Sequence, residues 1–155
     1  MAVTVKKITL WRGKIEDRPG TLADVLAPFA ASRADLQVVM GYREPGDAQA
    51  VVELYPVATK KIASALIGKG LGPAGIPSLL VSGDNRPGLG HAMARALGEA
   101  ELNVSFLVAQ TAGRKFSAVF GFASEADAAG AVPVIKKAAA ARKKVAAKKA
   151  KKRRR

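Results

Sequence analysis

Two short corners carry the residues best suited to recognition chemistry: Asp17, Arg18, Pro19 and Gly20, and then Asn85, Arg86, Pro87 and Gly88. Each follows a β-rich stretch and precedes a helix-like pattern. A helix start presents backbone N–H groups without partners and about half a positive charge. Glycine there has no Cβ, so a ligand can approach the backbone closely. Such a corner suits a carboxylate or a phosphate. Glu16, Asp17, Asp84 and Asn85, just upstream, supply oxygens that accept from an ammonium group. A carboxylate beside an ammonium describes an α-amino acid. The plainer alternative is that Asp or Asn merely caps a helix, contributing about 1 kcal/mol, and that Pro-Gly is turn chemistry. Finding the corner twice weighs toward binding, although duplication copies a cap as readily as a site.

The corners belong to a longer repeat with an offset of 68 residues. At that offset Val25 falls on Met93, Phe29 on Leu97, and Leu36, Val38 and Val39 on Val104, Phe106 and Leu107. Ala50, Val51 and Leu54 fall on Ala118, Val119 and Phe122. Repeated units of this kind are the first thing a sequence can show about its fold.

The elements that must position the corners follow from periodicity. Residues 6–15 and 77–83 are β-rich and open the copies. Helices are expected over roughly 20–31 and 88–100, where Pro near the first turn is tolerated. Leu22, Val25, Leu26 and Phe29 share one face, as do Leu89, Met93 and Leu97. Hairpins follow, with Leu36–Tyr42 and Ala48–Tyr55 flanking REPGD, and Leu102–Thr111 and Phe116–Ala123 flanking AGRK. Second helices are expected over 58–68 and over 125–140, running into the tail. A fourth strand is hard to see. Residues 68–76 hold at most a stub, and the second copy offers only Val132–Ile135, weakened by Pro133. The order β-α-β-β-α predicts an antiparallel sheet with helices on one face.

The segments EDRPGTLADVLAPFAASRADLQVV and GDNRPGLGHAMARALGEAELNVSFLV each resemble the first half of an ACT domain. The resemblance implies an α+β fold of two ferredoxin-like βαββαβ modules in tandem. It sets the first at residues 1–72, the second at 73–137, and a basic tail at 138–155. It also implies a regulatory, non-catalytic protein that binds an amino acid where domains pair, and hence a homodimer. Carried over by position, Asp17 and Asn85 contact the ligand. The site is lined by Arg18, Pro19, Gly20, Thr21 and Leu22, and by Asp84, Arg86, Pro87, Gly88, Leu89, Gly90 and His91. The second copy departs at Gly90, where the first has Leu22. Either the helix start is shifted, or Gly90 opens extra room.

Other signals are weaker. Gly70, Gly72 and Gly75 fit a dinucleotide glycine pattern, but with a helix before and a strand after, the reverse of the required order. They read as a linker. Trp11 is read as packing rather than a ligand platform, and Arg114 and Lys115 as a solvated hairpin tip. His91 is the sole histidine and there is no cysteine. No metal-ligand set, cofactor motif or nucleophile–base pair is visible, so no catalytic residue, cofactor or metal is expected. No signal peptide or membrane span is evident, and a cytoplasmic location is expected.

The charge is uneven. The chain carries +14, but residues 1–135 hold fourteen Lys and Arg against twelve acidic residues, a net +2. The last twenty residues hold twelve Lys and Arg and no acid. Arg142, Lys143, Lys144, Lys148, Lys149, Lys151, Lys152, Arg153, Arg154 and Arg155 form the densest part. This tail is expected to be disordered when free. Its alternatives are a solubilising tail, salt-sensitive and sequence-blind contact with DNA or RNA, or contact with an anionic membrane or acidic protein. A nucleic-acid-associated protein whose modules only dimerise is therefore the rival to the sensor reading.

Overall fold

A computed structural model of the chain describes residues 3–152, with side chains described through Ala141. The element order is β1 (Thr4–Ile8), β2 (Trp11–Glu16), α1 (Thr21–Ser32), β3 (Val38–Arg43), β4 (Gln49–Tyr55) and α2 (Lys60–Ile67). Then come β5 (Gly72–Pro73), β6 (Ser78–Asp84), α3 (Leu89–Glu99), β7 (Val104–Ala112), β8 (Lys115–Phe122) and α4 (Glu125–Lys152). The fold is α+β, with two four-stranded sheets ordered β3-β4-β2-β5 and β1-β6-β8-β7.

The chain divides into one unit of residues 8–75 and another of residues 1–7 with 76–155. The first unit is thus inserted in sequence between a strand and the remainder of the second. The β-rich stretch 6–15, expected as one opening strand of the first copy, is two strands in two sheets. β2 opens the first copy, while β1 lies beside β6 at the edge of the other sheet. That edge is where a ferredoxin-like copy places its fourth strand. The second copy has none of its own, because residues 132–135 lie within α4. An unpaired edge of N–H and C=O groups is a liability, and β1 covers it. Residues 1–7, expected within the module 1–72, group by contact with residues 76–155. In the inserted unit the slot is filled by the two-residue β5, antiparallel to β2 through Trp11↔Pro73 and Arg12↔Gly72.

Each unit buries the helix-facing side of its sheet. Alternation along the strands sends Ile15, Val52 and Leu54 to one face, against Val25 and Phe29 of α1 and Ile62 and Leu66 of α2. In the other unit Leu79, Val81, Ala118, Phe120 and Phe122 meet Leu89, Met93 and Leu97 of α3. Ala128, Ala131, Ile135 and Ala139 of α4 complete that core. A fully buried Leu or Phe here contributes about 1.5–3 kcal/mol. Leu22, expected on the core face of α1, is instead 42% exposed.

The helix α4 continues to Lys152, through backbone expected to be disordered. Its first four turns are anchored in the core, so each added residue extends an existing helix without a new nucleus, and the alanines favour that extension. The tail side chains from Arg142 onward lie outside the described residues. Among the described residues no helix is long and apolar enough to cross a membrane.

Candidate functional site

Both corners have the same backbone. Gly20 precedes α1 at φ 91°, and Gly88 precedes α3 at φ 77°. This left-handed conformation suits glycine, which has no Cβ to clash. The following N–H groups turn back on the corner in both copies, Thr21 to the Arg18 carbonyl at 3.4 Å and Leu89 to the Arg86 carbonyl at 3.3 Å. The helix starts therefore stay in phase at the 68-residue offset. Gly90 is not the sign of a shifted helix.

Neither helix start is capped by a side chain. Asp17 is not an N-cap: its carboxylate lies 3.1 Å from Arg43 Nε on β3. Asn85 is not one either, and its backbone N–H donates to the Arg114 carbonyl at 2.8 Å. That bond ties the tip of the β7–β8 hairpin to the second corner. Lys115, at the same tip, lies 2.5 Å from Asp84 Oδ1, and this hydrogen bond holds the Asp84 carboxyl below its usual range.

A cleft opens beside each corner. The first, of about 290 Å³, is lined by Ile15, Glu16, Asp17, Arg18, Thr21, Leu22, Gly41, Tyr42, Arg43, Ala50, Val51 and Val52. The second, of about 260 Å³, is lined by Asn85, Leu89, Gly90, Met93, Leu107, Ala109, Gln110, Thr111, Phe116, Ala118 and Phe120. Shifted by 68, Asp17, Thr21 and Leu22 become Asn85, Leu89 and Gly90. Gly41, Tyr42, Arg43, Ala50 and Val52 become Ala109, Gln110, Thr111, Ala118 and Phe120. The repeat has thus built one cleft twice, between the first turn of a helix and the two hairpin strands.

The structure brings Asp17, Arg18, Thr21 and Leu22 into the first cleft, and Asn85, Leu89 and Gly90 into the second. Pro19, Gly20, Pro87 and Gly88 shape the corners without lining the hollows. Asp84 and Arg86 do not line the second cleft. Arg86 Nη2 donates to the Ala139 carbonyl of α4, and its Nε is buried without a hydrogen-bond partner. Its counterpart Arg18 bonds Glu16 Oε2 at 2.7 Å. His91 lines a separate hollow with Arg95, Glu99 and Ala138.

Sequence reasoning missed Tyr42, Arg43, Gln110 and Thr111. They lie near the ends of β3 and β7, and the same offset that related the corners relates these pairs. Burial raises the Tyr42 hydroxyl pKa, keeping it a donor, and it donates to the buried Glu53 at 3.1 Å. Trp11 packs partly buried against the first core, as expected of a strand Trp. Gly70 follows α2 in the left-handed region and Gly72 starts β5, so these glycines lie between a helix and a strand. Among the described residues no group of three or more His, Cys, Asp or Glu could hold a metal ion.

No family model matches the sequence, and no curated protein sequence matches it. Solved structures do. A Bacteroides thetaiotaomicron protein superposes with TM-score 0.69 at 12% identity, over 83% of this chain and 88% of that one. The ligand-free regulatory subunit of aspartate kinase from Thermus thermophilus matches with TM-score 0.61 at 16% identity, over 89% of this chain and 97% of that one. The Thermus flavus regulatory subunit of aspartate kinase gives TM-score 0.56 at 17% identity, with the same coverage. At these identities the likeness is one of fold: an α+β, ACT-like arrangement spanning nearly the whole of each regulatory subunit.

Proposed function

We propose that this chain is a non-catalytic regulatory protein that binds a small ligand, an amino acid, at its Asp/Asn-Arg-Pro-Gly corners. The observation that carries the reading is the duplicated cleft beside an uncapped helix start. Backbone N–H groups after Gly20 offer a partner to a carboxylate, and Asp17 offers one to an ammonium. The regulatory subunits that share the fold support a regulatory role. A ligand that favours one arrangement of the protein over another shifts its population by that difference in affinity, which is how binding becomes a signal. Pairing of two chains belongs to the same proposal.

A thermal-shift screen against the twenty amino acids tests it. Selective stabilisation is expected, reaching about 2.7 kcal/mol at 100 times the dissociation constant. A flat response contradicts it. A second reading draws on the continuous helix α4, which carries the basic sequence through to Lys152. In that reading the Lys/Arg run binds nucleic acid and the two units serve assembly. DNA retention that falls steeply with salt and is lost on deleting residues 136–155, beside a flat amino-acid screen, would favour it.

A further inference from the structure

The two clefts share a backbone and differ in chemistry. Glu16, Asp17, Arg18 and Arg43 give the first cleft four charged side chains. The second has no Asp, Glu, Lys or Arg in its lining. Asn85 stands where Asp17 is, and Thr111 where Arg43 is. Arg86, the one remaining cation of the corner, is engaged by the Ala139 carbonyl of α4. What lines the second cleft instead is apolar, with Met93, Phe116 and Phe120 buried beneath it. Space has changed as well. Leu22 occupies the wall of the first cleft, whereas a Cβ built on Gly90 would meet nothing within 4 Å.

An apolar wall rewards removal of apolar ligand surface from water, and an ionised side chain entering it would lose hydration without gaining a counter-charge. Asn85, Gln110 and Thr111 leave neutral donors and acceptors for orientation, the usual composition of a small-molecule pocket. We propose that the second cleft is a separate site for an uncharged ligand with an apolar body, not a second copy of the amino-acid site. The inference rests on the corners being ligand sites, and goes beyond that reading in assigning them different ligands.

Amide NMR on the full chain tests it with two probes, N-acetyl-L-leucinamide and L-aspartate. The neutral probe is expected to shift the amides of Gly90, Gln110 and Thr111 while leaving Leu22 and Arg43 in place. L-aspartate is expected to leave the second set unmoved. Gly90→Leu, which restores the side chain of the first copy, should weaken the neutral probe at least tenfold. Gly90→Ala serves as the milder variant should the larger residue disturb α3. The inference is overturned if the neutral probe moves neither set, moves both alike, or binds Gly90→Leu and Gly90→Ala as tightly as the parent. It is equally overturned if L-aspartate engages the second cleft as well as the neutral probe does. Amino acids binding both clefts alike would sink this inference and leave the corner reading standing, whereas an amino-acid screen and both probes without effect would sink both.

Discussion

Arg43 on β3 holds the carboxylate of Asp17 at 3.1 Å, joining the hairpin to the corner that starts α1. Both residues line the first cleft. The contact fixes Asp17 where an incoming ammonium can meet it, and leaves the Arg43 charge nearby. The pair is largely solvent-exposed, at 61% for Arg43 and 39% for Asp17, so it contributes at most about 1 kcal/mol to folding. Asp17→Ala should therefore change the denaturation midpoint little. In a calorimetric titration with the amino acid that gives the largest thermal shift, it should weaken binding about tenfold or more, because a charge-assisted hydrogen bond is worth about 1.5–3 kcal/mol.

The corner glycines are conformational requirements. Gly20 and Gly88 both have positive φ, and a Cβ built on Gly20 meets nothing within 4 Å. A substitution there meets only the backbone penalty, about 1–2 kcal/mol. Gly20→Ala should lower stability by that amount in urea, and Gly20→Asn should recover part of it, since Asn tolerates the left-handed region. Equal effects of Ala and Asn would show that something other than φ is at work.

The assignment of β1 to the second sheet predicts where damage travels. Val5 on β1 packs against the core that contains Leu79 and Val81. Proline at Val5 removes a backbone donor and a packed side chain. Hydrogen exchange on Val5→Pro should show lost protection in residues 78–84 and unchanged protection in residues 49–55. The opposite pattern would contradict the sheet order.

The bond between Lys115 and Asp84 predicts a pH effect of definite sign. Hydrogen bonding lowers the Asp84 pKa in the folded chain. A lowered carboxyl contributes stability above its ordinary range, and that contribution fades as pH falls through the folded value. Lys115→Ala should move the Asp84 titration midpoint upward, read by carboxyl-carbon NMR. An unmoved midpoint would place the cause elsewhere.

The sequence revealed the parts that local pattern controls. Pro-Gly punctuation located both corners, and the spacing of Val25 and Phe29, and of Met93 and Leu97, gave the buried faces of α1 and α3. Long-range choices were invisible to it. No glycine or proline divides Lys6–Trp11, so the change of sheet between β1 and β2 leaves no local mark. Leu22 and Leu89 look alike by composition. Yet Leu89 is buried at the position of Thr21, while Leu22 faces its cleft, because both copies point the same first-turn position inward and only the second places its leucine there. Tyr42, Arg43, Gln110 and Thr111 were overlooked because polar residues on a strand carry no signal until the facing helix start is known.

The most direct test of the central claim is a crystal structure with the amino acid that gives the largest thermal shift. The expected result is density beside the first corner, with the carboxylate against the amides that follow Gly20 and the ammonium near Asp17. Empty clefts, with the amino acid held elsewhere on the chain, would contradict it.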